Sequence, residues 1–267
     1  MPFLPPELER EIVETAVRTN HKDAVVKLNL SLVAHHFHFW VDQVFYESVT
    51  IHGGNADKFL TLVDLKPAGF FATVVKVLSV RNVNDSQTVR VLAACPGIQV
   101  LVLWLFASSR LPLSALDLFP LRRLATLLEF IANILTTTIQ PNWVSTLTHL
   151  DLHYRPTIDA SLNLTGILRQ FPRLSNFALL FFWAEVSVLA AICADFPGLR
   201  VFVITTPRAK FGEYSFLDPR IVLVEYTSME GGKRWEVAPL GLPDIWTHAE
   251  SVVDERLARL GAAVESS

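Results

Sequence analysis

One phrase recurs through most of this chain and limits its fold more than any other feature. Cys95-Pro96-Gly97-Ile98-Gln99-Val100-Leu101-Val102-Leu103, Phe171-Pro172-Arg173-Leu174-Ser175-Asn176-Phe177-Ala178-Leu179 and Phe196-Pro197-Gly198-Leu199-Arg200-Val201-Phe202-Val203-Ile204 align without gaps. The pattern is bulky-Pro-x-apolar-x-x-apolar-x-apolar. Weaker copies stand at 75–80, 121–124, 147–152 and 221–226. The leading apolar residues, Val75, Ile98, Leu121, Leu147, Leu174, Leu199 and Ile221, are 22 to 27 residues apart, a period that marks stacked strand-and-helix repeats. The proline ends a preceding helix, because the residue before it avoids the helical region, and the alternating apolar positions that follow suit a short half-buried strand. Between the phrases, 86–94, 160–170 and 184–194 have helical spacing and stop at the bulky-Pro pair. The expected fold class is therefore α/β, with six to seven strand-plus-helix units; a compact α/β domain is the alternative.

Ahead of the repeats, residues 4–51 read as three short helices. Pro5 and Pro6 suit a first helical turn, and Glu7, Glu9 and Glu11 place negative charge near the positive end of the helix dipole. Leu8, Ile12 and Ala16, with Val13 and Val17 beside them, predict a face meant for burial. Asp23 can cap a second helix whose Val25, Val26, Leu28, Leu30, Leu32 and Val33 make it apolar nearly all round, so two apolar neighbours are expected. A third helix over 37–46 carries Trp40, Val41, Val44 and Phe45 at helical spacing. Three such helices have too little core to stand alone, which predicts packing partners.

Leu4-Pro5-Pro6-Glu7-Leu8, Ile12, then Leu30-Ser31-Leu32-Val33-Ala34, Trp40 and the closing Phe45-Tyr46 resemble the F-box in order and spacing, over about a fifth of the chain. The downstream units resemble leucine-rich repeats in their irregular form, without an asparagine ladder. The ending, Asp218-Pro219-Arg220 and Asp244-Ile245-Trp246-Thr247-His248-Ala249-Glu250, is similar to that of F-box-like proteins of mushroom-forming fungi. The resemblance implies a non-enzymatic adaptor: an F-box-like head over 1–51 docks on the Skp-type subunit of a cullin-RING ubiquitin ligase, and the rest holds a protein substrate. It places Leu4, Pro5, Leu8, Ile12, Leu32, Val33 and Trp40 at the adaptor. A connector over 52–72, a leucine-rich-repeat-like solenoid over 73–226, and a C-terminal loop with a helix capping the open end over 227–267 complete the expected organisation.

Composition narrows the function classes. Hydrophobic content of 51% with 18% charge argues for a large buried core, and a net charge of −3 without a basic stripe gives no drive toward nucleic acid. The two cysteines, Cys95 and Cys193, sit in apolar settings, which fits a reducing compartment, cytoplasmic or nuclear. The start MPFLPPELER has neither a basic nor an apolar signal region, so no secretory signal is expected. The apolar run 177–194 is long enough to suggest a membrane span. The repeat splits it into a strand and a helix, so no membrane partner is expected. His35 and His38 have helical metal-pair spacing, but with no cysteine nearby they read as surface or interface histidines. His149, Asp151 and His153 share the outer face of a strand and form the candidate substrate patch. No phosphate loop, nucleophile elbow or zinc-protease motif is present, so no catalytic residue, cofactor or metal is assigned. Two rival functions stay open: a ligase-independent recognition module with a degenerate F-box, and a small α/β enzyme.

Overall fold

The computed structural model describes residues 4–21, 23–104, 111, 116–117, 119–135, 141–153, 164–180, 186–206, 218–225 and 244–265. The protein is mixed α/β, built on one eight-stranded sheet in which every strand is parallel to its neighbours and the order follows the chain. The strands are β1 (Ser48–His52), β2 (Val77–Arg81), β3 (Val100–Trp104), β4 (Arg123–Leu127), β5 (His149–His153), β6 (Asn176–Leu180), β7 (Val201–Thr206) and β8 (Ile221–Glu225). Three helices precede the sheet: α1 (Pro6–Thr19), α2 (Ala24–Val33) and α3 (His35–Phe45). The crossovers carry α4 (Ala56–Leu65), α5 (Phe70–Val74), α6 (Asp85–Ala94), α7 (Leu128–Leu135), a 3-10 turn (Asn142–Ser145), α8 (Leu164–Leu168) and α9 (Val186–Asp195), and α10 (Ile245–Glu265) closes the described chain.

The recurring phrase has a recurring backbone geometry. At six successive strand starts, one carbonyl accepts two consecutive amides from the next strand. Glu47 O takes Lys76 and Val77, Lys76 O takes Gln99 and Val100, Gln99 O takes Arg122 and Arg123, and Arg122 O takes Thr148 and His149. Thr148 O and Ser175 O continue the series through Asn176 and Val201. The leading apolar residues from Val75 to Leu199 each stand two residues before the matching strand position. Ile221 does not: it lies inside β8 opposite Phe202, whose amide bonds Arg220 O, so the last unit starts out of register with the expected repeat. Gly97 in the first full copy is fixed by packing, because a Cβ there would lie 2.4 Å from Ala72 O. Gly198, in the last copy, has open space around it.

Two features of the sheet are absent from the expected organisation. Residues 48–52 form strand β1, which crosses the boundary expected at 51, and the connector contains α4. Strand β1 is a sheet edge. The Asn55 side chain occupies part of it as a peptide group would, accepting from His52 N at 2.7 Å and donating to Thr50 O at 3.0 Å. At the other edge, Arg256 donates to Ile221 O at 2.6 Å and so covers part of β8. An open strand edge is a template for unwanted pairing, and both ends are partly occupied by side chains.

Alternate residues of the strands split into two cores. Leu78, Leu101, Leu124, Leu150, Phe177, Leu179 and Phe202 join the buried faces of α4 to α9 in one continuous cluster. The opposite face holds a second cluster of Val102, Ala125, Ala178, Val201, Val203 and Val222, covered by Ile245, Trp246, Ala249 and Val253 of α10. The expectation that the last helix caps the open end of the repeats is corrected: α10 lies across the sheet. Its polar residues meet the strands in order. Asp244 pairs with Arg123 at 2.8 Å, Trp246 packs edge-on to His149, Glu250 accepts from Asn176, and Asp254 meets Arg200 at 3.1 Å. From Asp254 to Ala262 every residue of α10 is exposed.

The apolar run 177–194 is divided as the repeat requires: β6 ends at Leu180, α9 begins at Val186, and 181–185, with Trp183, lie outside the described residues. No helix among the described residues is long and apolar enough to cross a membrane. The expected C-terminal loop, from 227 up to the start of the last helix, also lies outside them as far as residue 243.

Truncation tests both cores by chemical denaturation. Leu150→Ala and Leu179→Ala should each cost about 2–5 kcal/mol, and Trp246→Ala about 3–5 kcal/mol, since all three side chains are fully buried. Leu257→Ala, on the exposed part of α10, should stay within about 0.5 kcal/mol. Equal, small effects at Trp246 and Leu257 would show that α10 does not cover the sheet.

Candidate functional site

The first three helices show how little of an apolar segment is hidden. Asp23 caps α2 as expected, its Oδ1 accepting from Val25 N at 2.8 Å and Val26 N at 3.2 Å. The inner cluster consists of Val13 and Val17 of α1 with Val41 and Val44 of α3, and Leu30, Phe37 and Trp40 pack against it. The apolar face expected to be buried on α1 is thus divided. Val13 and Val17 point inward, while Leu8 and Ile12 are 46% and 56% exposed. Helix α2 does meet both α1 and α3, with Leu30 against their cluster, but the burial expected all round it is corrected: no residue of α2 is fully buried, and Val25, Leu28, Leu32 and Val33 are each more than half exposed.

The residues assigned by resemblance to an adaptor interface separate by environment. Leu4, Pro5, Leu8, Ile12, Leu32 and Val33 are exposed, whereas Trp40 is half-buried against the inner cluster and touches the rings of His36 and Phe37. Val25, Leu28 and Phe39 are exposed as well; Val25 and Leu28 were expected to be buried between neighbours, and none of the three was assigned to a partner surface. The signal that could have found Val25 and Leu28 is their i, i+3, i+7 spacing with Leu32.

Polar contacts hold this segment to the sheet. Arg18 pairs with Glu47 at 2.9 Å, and the Glu47 carbonyl is the first of the shared acceptors described above. Asp42 on α3 binds Lys66 beyond α4, and Tyr46 packs edge-on to Phe70 and Phe71. Burial raises the Tyr46 hydroxyl above its ordinary range; Asp42 adds to the rise and Lys66 opposes it. Lys27 lies over the Phe45 ring and donates to His21 O, and burial lowers its ammonium while Asp23 counters. Of the neighbouring His35, His36 and His38, His36 faces Glu9 at 3.4 Å and His38 faces Asp42 at 3.5 Å. Among the described residues, no group of three or more metal-ligating side chains comes together.

The candidate substrate patch on β5 is not one open surface. His149 is covered by Trp246, with its Nδ1 2.8 Å from Thr148 Oγ1. Asp151 is buried, at 1% exposure, in the strand row that holds Ala125 and Ala178. His153 is half-buried and edge-on to Trp104. The expectation of an exposed strand face failed because α10 takes up that face, and Asp151 is consequently not a site where substitution is neutral. Trp143 and Trp246 are core residues, and Trp104 is partly exposed.

No protein-family model matches this chain, and no curated protein matches it in sequence.

The environment of His149 has a measurable pH consequence. Burial, followed by the nearby Arg123 charge, pushes its imidazole down to about 3, with Asp244 opposing. The unfolded chain takes up this proton as pH falls through about 6.5, and the folded protein does not until about 3, so the unfolded state binds more protons within that window. The contribution of neutral His149 is complete above about 6.5 and is lost as pH falls toward 3. Relative to His149→Phe, the parent should lose about 1–2 kcal/mol more stability between pH 7 and pH 5, read from urea midpoints. Parallel pH profiles would contradict the assigned environment.

Proposed function

We propose that the chain is a substrate-recognition adaptor of a cullin-RING ubiquitin ligase, with α1 to α3 as an F-box-like head docking on the Skp-type adaptor and the remainder presenting a protein substrate. One observation carries the reading: Leu4, Leu8, Ile12, Leu32 and Val33, which the F-box resemblance assigns to the adaptor, are large apolar side chains left exposed, while the Val13–Val44 cluster holds the helices together without them. Apolar exposure of this kind on a folded chain marks an interface. We read the strand-and-helix units as irregular leucine-rich repeats. The six shared carbonyls at strand starts and register steps of 23 to 29 residues up to β7 support this. On the substrate side, α10 occupies the strand starts of β4 to β8, so the substrate meets other surfaces; of the three candidates on β5, Asp151 is buried, half-buried His149 packs against Trp246 of α10, and half-buried His153 stands beside Trp104.

The rival is a recognition module that binds no ligase. Leu4→Ala with Pro5→Ala separates the two, because both residues are exposed and precede the core of α1. Affinity for a purified Skp-type adaptor should fall at least about tenfold, or about 1.4 kcal/mol, with the melting temperature nearly unchanged. No measurable affinity in the parent, or equal affinity in the variant, favours the ligase-free module.

A further inference from the structure

We propose that Lys66 and Arg18 are positioning residues that hold α1 to α3 at one fixed orientation on the sheet. The inner cluster of these helices, Val13, Val17, Val41 and Val44, is separate from the cluster that fills the crossover side of the sheet. Two bodies with separate cores move against each other unless a large apolar interface or specific ties join them. The covalent joint is short, since α3 ends at Phe45 and β1 begins at Ser48. One such point still permits rotation about it.

Two further attachments come from two different helices. On α3, Asp42 takes the Lys66 ammonium, which also lies over the rings of Tyr46 at 5.6 Å and Phe70 at 5.3 Å. A single cation thereby meets α3, the joint and α5. Its own base is firm, because the Lys66 amide donates to Leu62 O at the end of α4 and Pro67 follows with a fixed φ. The Lys66 and Asp42 side chains are 21% and 17% exposed, so salt screens the pair less than a surface one. His38 also faces Asp42, but it belongs to α3 itself and adds no tie to the sheet. On α1, Arg18 meets the Glu47 carboxylate, while the Glu47 carbonyl takes Lys76 and Val77 at the start of β2. Between the two ties, Tyr46 packs edge-on to Phe71, which is buried beside Phe59 in the sheet's cluster. A body held on α1, on α3 and at the chain joint keeps its orientation. The use of this rests on the adaptor reading: a partner docked on α1 and α2 and a substrate held elsewhere on the chain then stand at a set distance, as a reaction between groups brought by two partners needs.

The test is a distance measurement by pulsed electron spin resonance on the full chain, with labels at Thr15→Cys of α1 and Arg90→Cys of α6, both exposed positions, while Cys95 and Cys193 are buried. The parent should give one narrow distance. The double variant Arg18→Gln, Lys66→Met should widen the distribution at least about twofold, Lys66→Met alone should widen it less, and the charge-keeping pair Arg18→Lys, Lys66→Arg should leave it narrow. Helix content by circular dichroism should match the parent's in each. Affinity for a purified Skp-type adaptor should stay within about twofold of the parent's, since neither residue belongs to the exposed apolar surface. A broad distribution in the parent, or a narrow one in both Lys66→Met variants, overturns the fixed orientation whatever the adaptor does. A tenfold loss of adaptor affinity in those variants overturns the positioning role and moves the residues into the docking surface. No adaptor binding by the parent overturns the adaptor reading and leaves the fixed orientation standing.

Discussion

A parallel sheet is stable only when both of its faces are kept from water, and in this protein that constraint decides where an interaction surface can lie. The crossovers supply one cover, because the helices described in them, α4 to α9, bury Leu78, Leu101, Leu150, Phe177 and their neighbours. The other face is covered by α10, which runs from Arg123 at the start of β4 to the edge of β8 and buries Trp246, Ala249 and Val253 among Val102, Val201 and Val203. Strand β1 carries Ser48, Thr50 and His52 on the face that α10 leaves, side chains that tolerate water. The sheet is thereby a closed structural unit over β4 to β8, and the strand face expected to receive a substrate is filled by helix α10.

The first three helices obey the same physics with the opposite result. Their inner cluster is four fully buried valines with three partly buried neighbours, and much of the remaining apolar surface on α1 and α2 faces outward. Ion pairs at Glu47 and Asp42 and the Tyr46 contacts seat this small bundle against the sheet without hiding Leu8, Ile12, Leu28 or Leu32. One part of the chain thus spends its apolar residues on a core, and the other presents them at the surface. This contrast supports assigning docking to the head.

Much of the architecture could be read in the sequence because proline and alternation are local signals. The leading residues from Val75 to Leu199 keep a constant offset from the strands they introduce, so period alone located β2 to β7. Strand β1 carries no proline phrase and follows α3 almost directly, which left it inside the expected head and connector. Helix α4 lies in the expected connector, between Gly53-Gly54 and Pro67, and also carries no proline phrase. Periodicity says which residues want burial and not what they are buried against. It therefore grouped Ile245, Ala249, Val252, Val253 and Leu257 on one face of α10, of which Leu257 is exposed, yet placed that helix at the end of the sheet, and it grouped Leu8 and Ile12 with Val13 and Val17 as one face of α1, of which the two valines are buried and Leu8 and Ile12 exposed. Asp151 and His149 share this origin: alternation put them on the correct strand face, but the chain 90 residues downstream determines whether that face is open. At the head, resemblance assigned the exposed residues that local pattern alone took for core.

Amide hydrogen exchange on the full chain, with and without a purified Skp-type adaptor, tests the central claim most directly. The account predicts that bound adaptor slows exchange in α1 and α2, with β4 to β8 and the Trp246–Val253 part of α10 already protected and unchanged. Protection gained on the sheet or α10 with none on α1 and α2, or no change anywhere at saturating adaptor, would contradict it.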